Sequence, residues 1–500
     1  MLYDILSLLK STSPYLSVPA IGSAAAYATS ELRNVSLARA DETASAHGSA
    51  RWAALRDLRR AGLLGDDGLV LGRWPGKVAS PLLRVKTDRH LLTVAPTRSG
   101  KGVGTVIPNL LTYPGSALVV DPKGENARAT ALRRAAMGQE VHVLDGWGVS
   151  GLPTSAFNPL DMLDPTSPDL LDETTLIATT LVQGKGGSEI DRYFDTEATA
   201  LIAGFLLYIM VCEPPGLRTL LRLRRLLTLD PDALAALLAH MAESDSAAGL
   251  VARTANRLRQ KPEKERASIL STAQSHTHFL DSPRMAALLG HSDFDPADLK
   301  RRAMTLYLVL PSNRLAAYSR WLRLMVGLLI ATLSGLPEQP PHPVLFLLDE
   351  FAALGRLEVI EVALGLMAGH GIQLWPIIQD LSQLRELYRE RWSSFIANAG
   401  VVQVFGVNDP ATAELVSRML GARTVAVRSE QRQSRRQSED SGVSYSTAAR
   451  PLLYPAEVSA LPDGDELLFV TGLPPIRARK LVYYQDRAFR DLAVPAEGAR

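Results

Sequence analysis

The apolar run Leu91-Leu92-Thr93-Val94 stops abruptly at Ala95-Pro96-Thr97-Arg98-Ser99-Gly100-Lys101-Gly102. A buried strand that breaks into a small-residue loop ending in Gly-Lys can cradle phosphates. Backbone N–H groups point inward, and the helix that follows adds the positive end of its dipole. Ala95 through Gly104 therefore form the candidate phosphate loop, with Val103 and Gly104 in its first helical turn. Lys101 is placed to neutralise charge on a terminal phosphate. The match to G-x-x-x-x-G-K-[ST] is incomplete: Ala95 stands for the first glycine, and Gly102 for the hydroxyl residue that normally touches Mg²⁺. Thr105 is the candidate substitute hydroxyl. The plain alternative for a Gly-Lys pair is a simple turn. The strand before it and the helix-compatible Val103–Leu111 after it argue for a phosphate loop.

Two further segments complete such a site. Val344-Leu345-Phe346-Leu347-Leu348 is five apolar residues in a row, as a central parallel strand needs, and it ends in Asp349-Glu350. Asp349 is the candidate Mg²⁺ holder and Glu350 the residue that orients or deprotonates the attacking water. Read alone, the pair is equally a solvated strand end before a helix N-terminus, where acids are favoured. Ile372-Gln373-Leu374-Trp375-Pro376-Ile377-Ile378 reads as another buried strand with Gln379 at its end. In a parallel sheet the carboxyl ends of strands form the ligand edge, which puts Gln379 near the terminal phosphate. The implied cofactors are ATP and Mg²⁺.

Around these segments strand and helix alternate, which predicts an α/β fold with a mostly parallel sheet. Strands are expected at Leu91–Ala95, Ala117–Asp121 and Val141–Asp145, with helices at Val103–Leu111 and Glu125–Met137 between them. From about Asp169 to Met285 nearly everything reads as helix, the mark of an all-helical insert. The alternation resumes at Met304–Leu310. The expected organisation is an extension over 1–50, a first α/β part over 51–165, the helical domain over 166–290 and a second α/β part over 291–500. Arg428 to Ser446, rich in Arg, Gln, Ser and Glu, reads as a mobile loop.

The 500 residues are 46% hydrophobic and 21% charged, enough for a large core and against global disorder. A net charge of +2 gives no strong overall pull on nucleic acid, so DNA contact would need local patches. Candidates are Arg218, Arg222, Arg224 and Arg225, then Arg253, Arg257, Arg259, Lys261, Lys264 and Arg266, then Arg428, Arg432, Arg435 and Arg436. Their plain reading is a solvated face. Cys212 is the sole cysteine, which excludes an internal disulfide and fits a reducing compartment. Leu201–Cys212 is too short to span a bilayer and reads as a buried helix, while Tyr15–Ala28 is a marginal candidate for the remnant of a membrane anchor.

The ordered set of motifs resembles the type IV secretion coupling proteins, the TraG-like conjugative DNA-transfer ATPases. The residues that carry it are Gly48-Ser49-Ala50-Arg51-Trp52-Ala53, Ala95–Gly104 with Pro108-Asn109-Leu110-Leu111, and Asp121-Pro122-Lys123-Gly124-Glu125-Asn126. Phe157-Asn158-Pro159-Leu160, Leu348-Asp349-Glu350-Phe351 with Leu354-Gly355, and Trp375–Gln379 complete it. Gly102 in place of Ser or Thr is usual in that family. The resemblance implies a RecA-like P-loop ATPase carrying an all-α domain, assembled as a homo-hexamer on the cytoplasmic face of the inner membrane. It implies that single-stranded DNA bound to a relaxase, or a protein effector, is received and handed to the secretion channel. It places Asp121, Lys123 and Glu125 near the nucleotide. Ring ATPases often borrow an arginine from a neighbouring subunit. No Arg or Lys lies between Leu357 and Ile378, so Arg356 is the local candidate. Two rival readings stand beside it: an FtsK-like DNA translocase, and a docking receptor with an idle nucleotide site.

Overall fold

The computed structural model describes residues 45–493 apart from 77–79, 183, 185–187 and 432–441. The expected anchor segment, Tyr15–Ala28, lies outside the described residues. The chain divides into a larger compact unit, drawn from 53–412 and 459 onward, and a smaller one, drawn from residues up to 52 and 413–458.

The larger unit is built on one 11-stranded sheet. Its strands are β1 (Leu69–Arg73), β2 (Leu82–Val85), β3 (His90–Val94), β4 (Ala117–Asp121), β5 (Glu140–Asp145), β6 (Met304–Val309), β7 (Val344–Leu348), β8 (Ile372–Ile378) and β9 (Ala399–Val404). The hairpin strands of the smaller unit are β10 (Ala422–Gln431) and β11 (Gly442–Pro451), and β12 (Asp465–Val470) and β13 (Ile476–Arg479) return to the large sheet. The order is β2-β1-β13-β12-β9-β3-β8-β7-β4-β6-β5. From β9 to β5 every pairing is parallel, and the β12, β13, β1 and β2 edge is antiparallel. β3, β4, β6, β7, β8 and β9 are buried along their whole length, which is why they read as near-continuous apolar runs.

Between β5 and β6 the chain is helical, with Leu170–Leu181, Glu189–Cys212, Leu220–Leu227, Pro231–Ala242, Leu250–Arg259 and Glu263–Thr277. The capping box of Ser188 with Asp191 starts the longest of these. By length and composition Glu189–Cys212 could cross a membrane, as could Ser312–Gly335, but over half of each apolar window is buried within the fold. Residues Leu201 to Met210 are covered by the neighbouring insert helices.

In the smaller unit β10 and β11 pair antiparallel over ten residues each, and Ser49 bridges Arg423. The loop expected over 428–446 is corrected at both of its ends. Residues 428–431 and 442–446 belong to paired strands, because a regular antiparallel ladder satisfies backbone groups that the polar composition alone does not reveal. Arg428 pairs with Tyr445 in that ladder, while Arg432, Arg435 and Arg436 lie outside the described residues.

Candidate nucleotide site

Strand order decides what meets at the ligand edge. β3, β8, β7 and β4 are consecutive neighbours, all parallel, so the segments after them share one rim. The loop after β3 is tied to β8 by Ala95 N–H donating to the Ile378 carbonyl at 2.8 Å. Arg98 (φ 64°) and Gly100 (φ 89°) reverse the chain, a conformation glycine adopts without strain. Lys101 then caps a π-helical turn over Gly102–Val106 that runs into the α-helix Ile107–Thr112. The Ser99 N–H is taken by the Pro96 carbonyl at 3.1 Å and the Gly104 N–H by the Gly100 carbonyl at 2.8 Å, while the first N–H groups of a helical turn otherwise have no intrahelical acceptor.

The Lys101 ammonium lies 2.8 Å from Asp349 Oδ1 and 2.8 Å from Glu350 Oε1. The Gln379 amide donates to the other Glu350 oxygen at 3.2 Å. Three distant segments are therefore joined through one carboxylate. Burial, the largest influence on Lys101, opposes its charge, but the two acids outweigh it and hold its pKa above the ordinary lysine value. Burial also works to raise Glu350, yet its bonds to Lys101 and Gln379 and the charges of Lys101 and Lys123 bring it below the usual value. Asp349, more deeply covered, is pushed up by burial, only partly offset by Lys101. Glu350 sits in the left-handed region (φ 55°, ψ 44°), a strained backbone of the kind that clusters at functional sites.

The surroundings fit a nucleoside triphosphate with its metal. A Cβ at Gly102 would meet nothing within 4 Å, so the approach to the turn is open. Ser99 Oγ is buried without a hydrogen-bond partner, a group that awaits an acceptor or donor. Thr97 and Arg98 are exposed, Pro96 half-buried and Ala95 buried. Val103 lies in the π turn.

Thr105 departs from expectation. It is fully buried, and its hydroxyl donates to Gln403 Oε1 at 3.1 Å. Gln403 is on β9, across β3 from β8 and β7. The turn thus aims Thr105 into the sheet, away from the acidic strand, and its assignment as a metal ligand is corrected. Gln403 also receives Thr93 at 3.1 Å and donates to Glu466 Oε2 at 2.7 Å and to the Leu71 carbonyl at 2.8 Å. This network ties the base of the loop to β9, β12 and β1, and leaves Glu466 Oε1 buried without a partner. Glu466 is fully buried, and burial pushes its pKa up to about 8. Sequence reasoning passed over it; the polar Gln403 inside Val401-Val402-Gln403-Val404 was the available signal.

At the end of β4, Asp121 accepts from the Ala127 N–H at 2.9 Å, anchoring the helix Glu125–Ala136. Burial raises it to about 7, with Asp349 a further contributor. Gly124 (φ 67°) makes the turn, and a Cβ there would lie 2.9 Å from the Ser150 backbone. Asp121 is thus a structural anchor beside Asp349. Arg356 is engaged by Glu361 at 2.7 Å within its own chain. The basic patches are partly paired: Arg222 with Glu213, Arg224 with Asp281, Arg257 with Glu197 and Lys261 with Glu265.

Residues 51–497 match the family model described as type IV secretory system conjugative DNA transfer. The chain belongs to that family. It is 33% identical to the protein VirD4 of Agrobacterium fabrum over 463 residues, covering 89% of this chain and 67% of VirD4. It is 31% identical to the conjugal transfer protein TraG of Escherichia coli, covering 90% of this chain and 78% of TraG. Among solved structures it resembles the bacterial conjugative coupling protein TrwBdeltaN70, with a TM-score of 0.65 at 19% identity over 87% of this chain and 92% of that one. That likeness shows the RecA-like P-loop fold. TrwB has also been solved with the ATP analogue ADPNP and with ADP and Mg²⁺ (TM-score 0.64, 17% and 18% identity). The chain is a coupling protein of conjugative DNA transfer, and the FtsK-like reading falls away.

Proposed function

We propose that this coupling protein hydrolyses Mg²⁺-ATP and uses the cycle to move relaxase-bound single-stranded DNA, or a protein effector, into a type IV secretion channel. The reading includes a homo-hexamer at the cytoplasmic face of the bacterial inner membrane. The observation that carries it is Lys101 held 2.8 Å from both Asp349 and Glu350, with Gln379 on the second Glu350 oxygen. TrwB, of the same fold, takes nucleotide and Mg²⁺.

Each residue has a role that follows from its place. The backbone of Thr97 to Gly104 lines the phosphate cradle, with the N–H groups of Ser99 and Gly104 already taken by the Pro96 and Gly100 carbonyls. Lys101, kept protonated by its acids, balances phosphate charge. Asp349 is the residue that would hold Mg²⁺, which supplies Lewis-acid stabilisation of the transferred phosphate. Glu350, kept ionised by Lys101, accepts a proton from or orients the attacking water. Gln379 is bonded to Glu350 at the end of β8, so a change at Glu350 is passed to the helix Leu381–Tyr388 through Gln383, which accepts the Gln379 N–H at 3.0 Å.

ATP turnover of the purified chain with and without single-stranded DNA, with oligomer mass followed in parallel, tests the reading. DNA-stimulated turnover accompanied by ring assembly is expected. A rate unmoved by DNA would overturn the motor and favour a docking receptor.

A further inference from the structure

The phosphate loop accounts for one half of a nucleotide. The other half, a base and ribose, has no assigned partner. The structure brings a segment from the far end of the described chain, Lys480 to Leu492, directly onto the phosphate-loop turn.

The reason lies in Pro108. The π-helical turn bonds each carbonyl to the N–H five residues on, as Gly102 does with Ile107. Val103 would look to residue 108, a proline with no N–H. Its carbonyl instead accepts from the Tyr483 N–H at 3.1 Å. One turn earlier, the half-buried Lys480 ammonium donates to the Ser99 carbonyl at 3.2 Å. Between these contacts the Leu481 carbonyl lies 3.0 Å from where a Gly104 Cβ would be, so any larger residue there would crowd the approach.

This strap is anchored at several side chains. Arg73 grips Asp486 through two hydrogen bonds, at 2.6 and 2.8 Å. Phe489 is completely buried, and Leu481 and Tyr483 pack with it against Ile107, Leu111 and Ala129. The next side chain, Tyr484, is treated differently. It is 49% exposed, among the few large apolar residues left in solvent, and its ring meets that of Tyr483 edge-on at 5.3 Å. An exposed aromatic ring one residue beyond the N–H that holds the Val103 carbonyl of the phosphate-loop turn offers a stacking surface for a planar base. Every base has a π-face, and stacking on an aromatic side chain is worth about 1–3 kcal/mol.

We infer that the Lys480–Tyr484 strap forms the nucleoside side of the site, with Tyr484 stacking on the base and Lys480 fixing the loop at Ser99. The inference rests on the nucleotide reading above. It makes Tyr484 an affinity residue for nucleotides, with no part in the chemistry.

The test compares ATP with inorganic tripolyphosphate, which has the phosphates but no base, as competitors of a fluorescent nucleotide on the full chain. Tyr484→Ala should weaken ATP about tenfold, equivalent to about 1.4 kcal/mol, and leave tripolyphosphate unchanged. Tyr484→Phe should restore ATP binding. Unchanged ATP affinity in Tyr484→Ala would overturn the stacking role. An equal loss for both ligands would overturn it too, since the strap would then matter only for loop structure. If the unaltered protein bound neither ligand, the nucleotide reading itself would fail and this inference with it.

Discussion

Glu350→Gln is the substitution that separates binding from chemistry most cleanly. Glu350 Oε1 is 2.8 Å from the Lys101 ammonium, and Oε2 takes the Gln379 amide at 3.2 Å. A hydrogen bond to a charged group contributes about 1.5–3 kcal/mol. The Glu350 side chain retains 32% exposure, so solvent screening reduces that figure. Lys101 also keeps Asp349, so it is not left unpaired. Glutamine preserves a neutral hydrogen bond and removes one negative charge. The net release of Lys101, with less repulsion of incoming phosphates, is about 1 kcal/mol, or about fivefold tighter ATP binding. Turnover should fall by about 10²–10⁴, the usual contribution of a positioned acid or base. Fluorescent-nucleotide competition reads the affinity, and single-turnover phosphate release reads the chemistry. Unaltered turnover would remove Glu350 from the water-handling role, and weaker ATP binding would refute the argument that it restrains Lys101.

Lys101→Ala should abolish nucleotide binding and lower the melting temperature, because it leaves Asp349 and Glu350 as adjacent unbalanced charges; thermal melting and titration of the same sample check both. Gly102→Ala should be tolerated, since nothing lies within 4 Å of its Cβ, whereas Gly104→Ala meets the Leu481 carbonyl at 3.0 Å and the Phe405 ring at 3.1 Å and should weaken both melting temperature and ATP affinity. The pH dependence has a definite sign at Glu466, whose pKa burial pushes up from the ordinary glutamate value of about 4.3 to about 8. Between those values the folded chain keeps a proton that the unfolded chain has lost, so stability falls as pH rises through that window. Glu466→Gln, neutral throughout, should melt like the parent near the lower limit and a few degrees higher near the upper one; a constant difference across the window would refute this.

Much of the site is legible because its chemistry is local. A five-residue apolar run must be buried, and the residues at its end must lie at a sheet edge, so Asp349, Glu350 and Gln379 announce themselves. The Gly-Lys turn does the same for Lys101. Thr105 misled because a hydroxyl near the loop is visible in sequence while its facing is not: the π turn, seen in the Ile107-to-Gly102 bond, rotates it into the sheet toward Gln403. The 428–446 segment misled because composition reports polarity and is blind to a partner strand.

What the chain alone determines is the set of elements: buried parallel strands, their terminal acids and amide, the phosphate loop, and a helical stretch between β5 and β6. Each follows from runs of a few residues acting on their own backbone. The tertiary structure decides which strands become neighbours. The order β3-β8-β7-β4 brings Lys101 to Glu350 across 249 residues of sequence, and the order β13-β12-β9-β3 on the other side of β3 lets the strap after β13 reach Ser99 across 381. Those pairings depend on how helices and crossovers pack over the whole sheet, a balance of many weak burial terms that no short window of sequence contains.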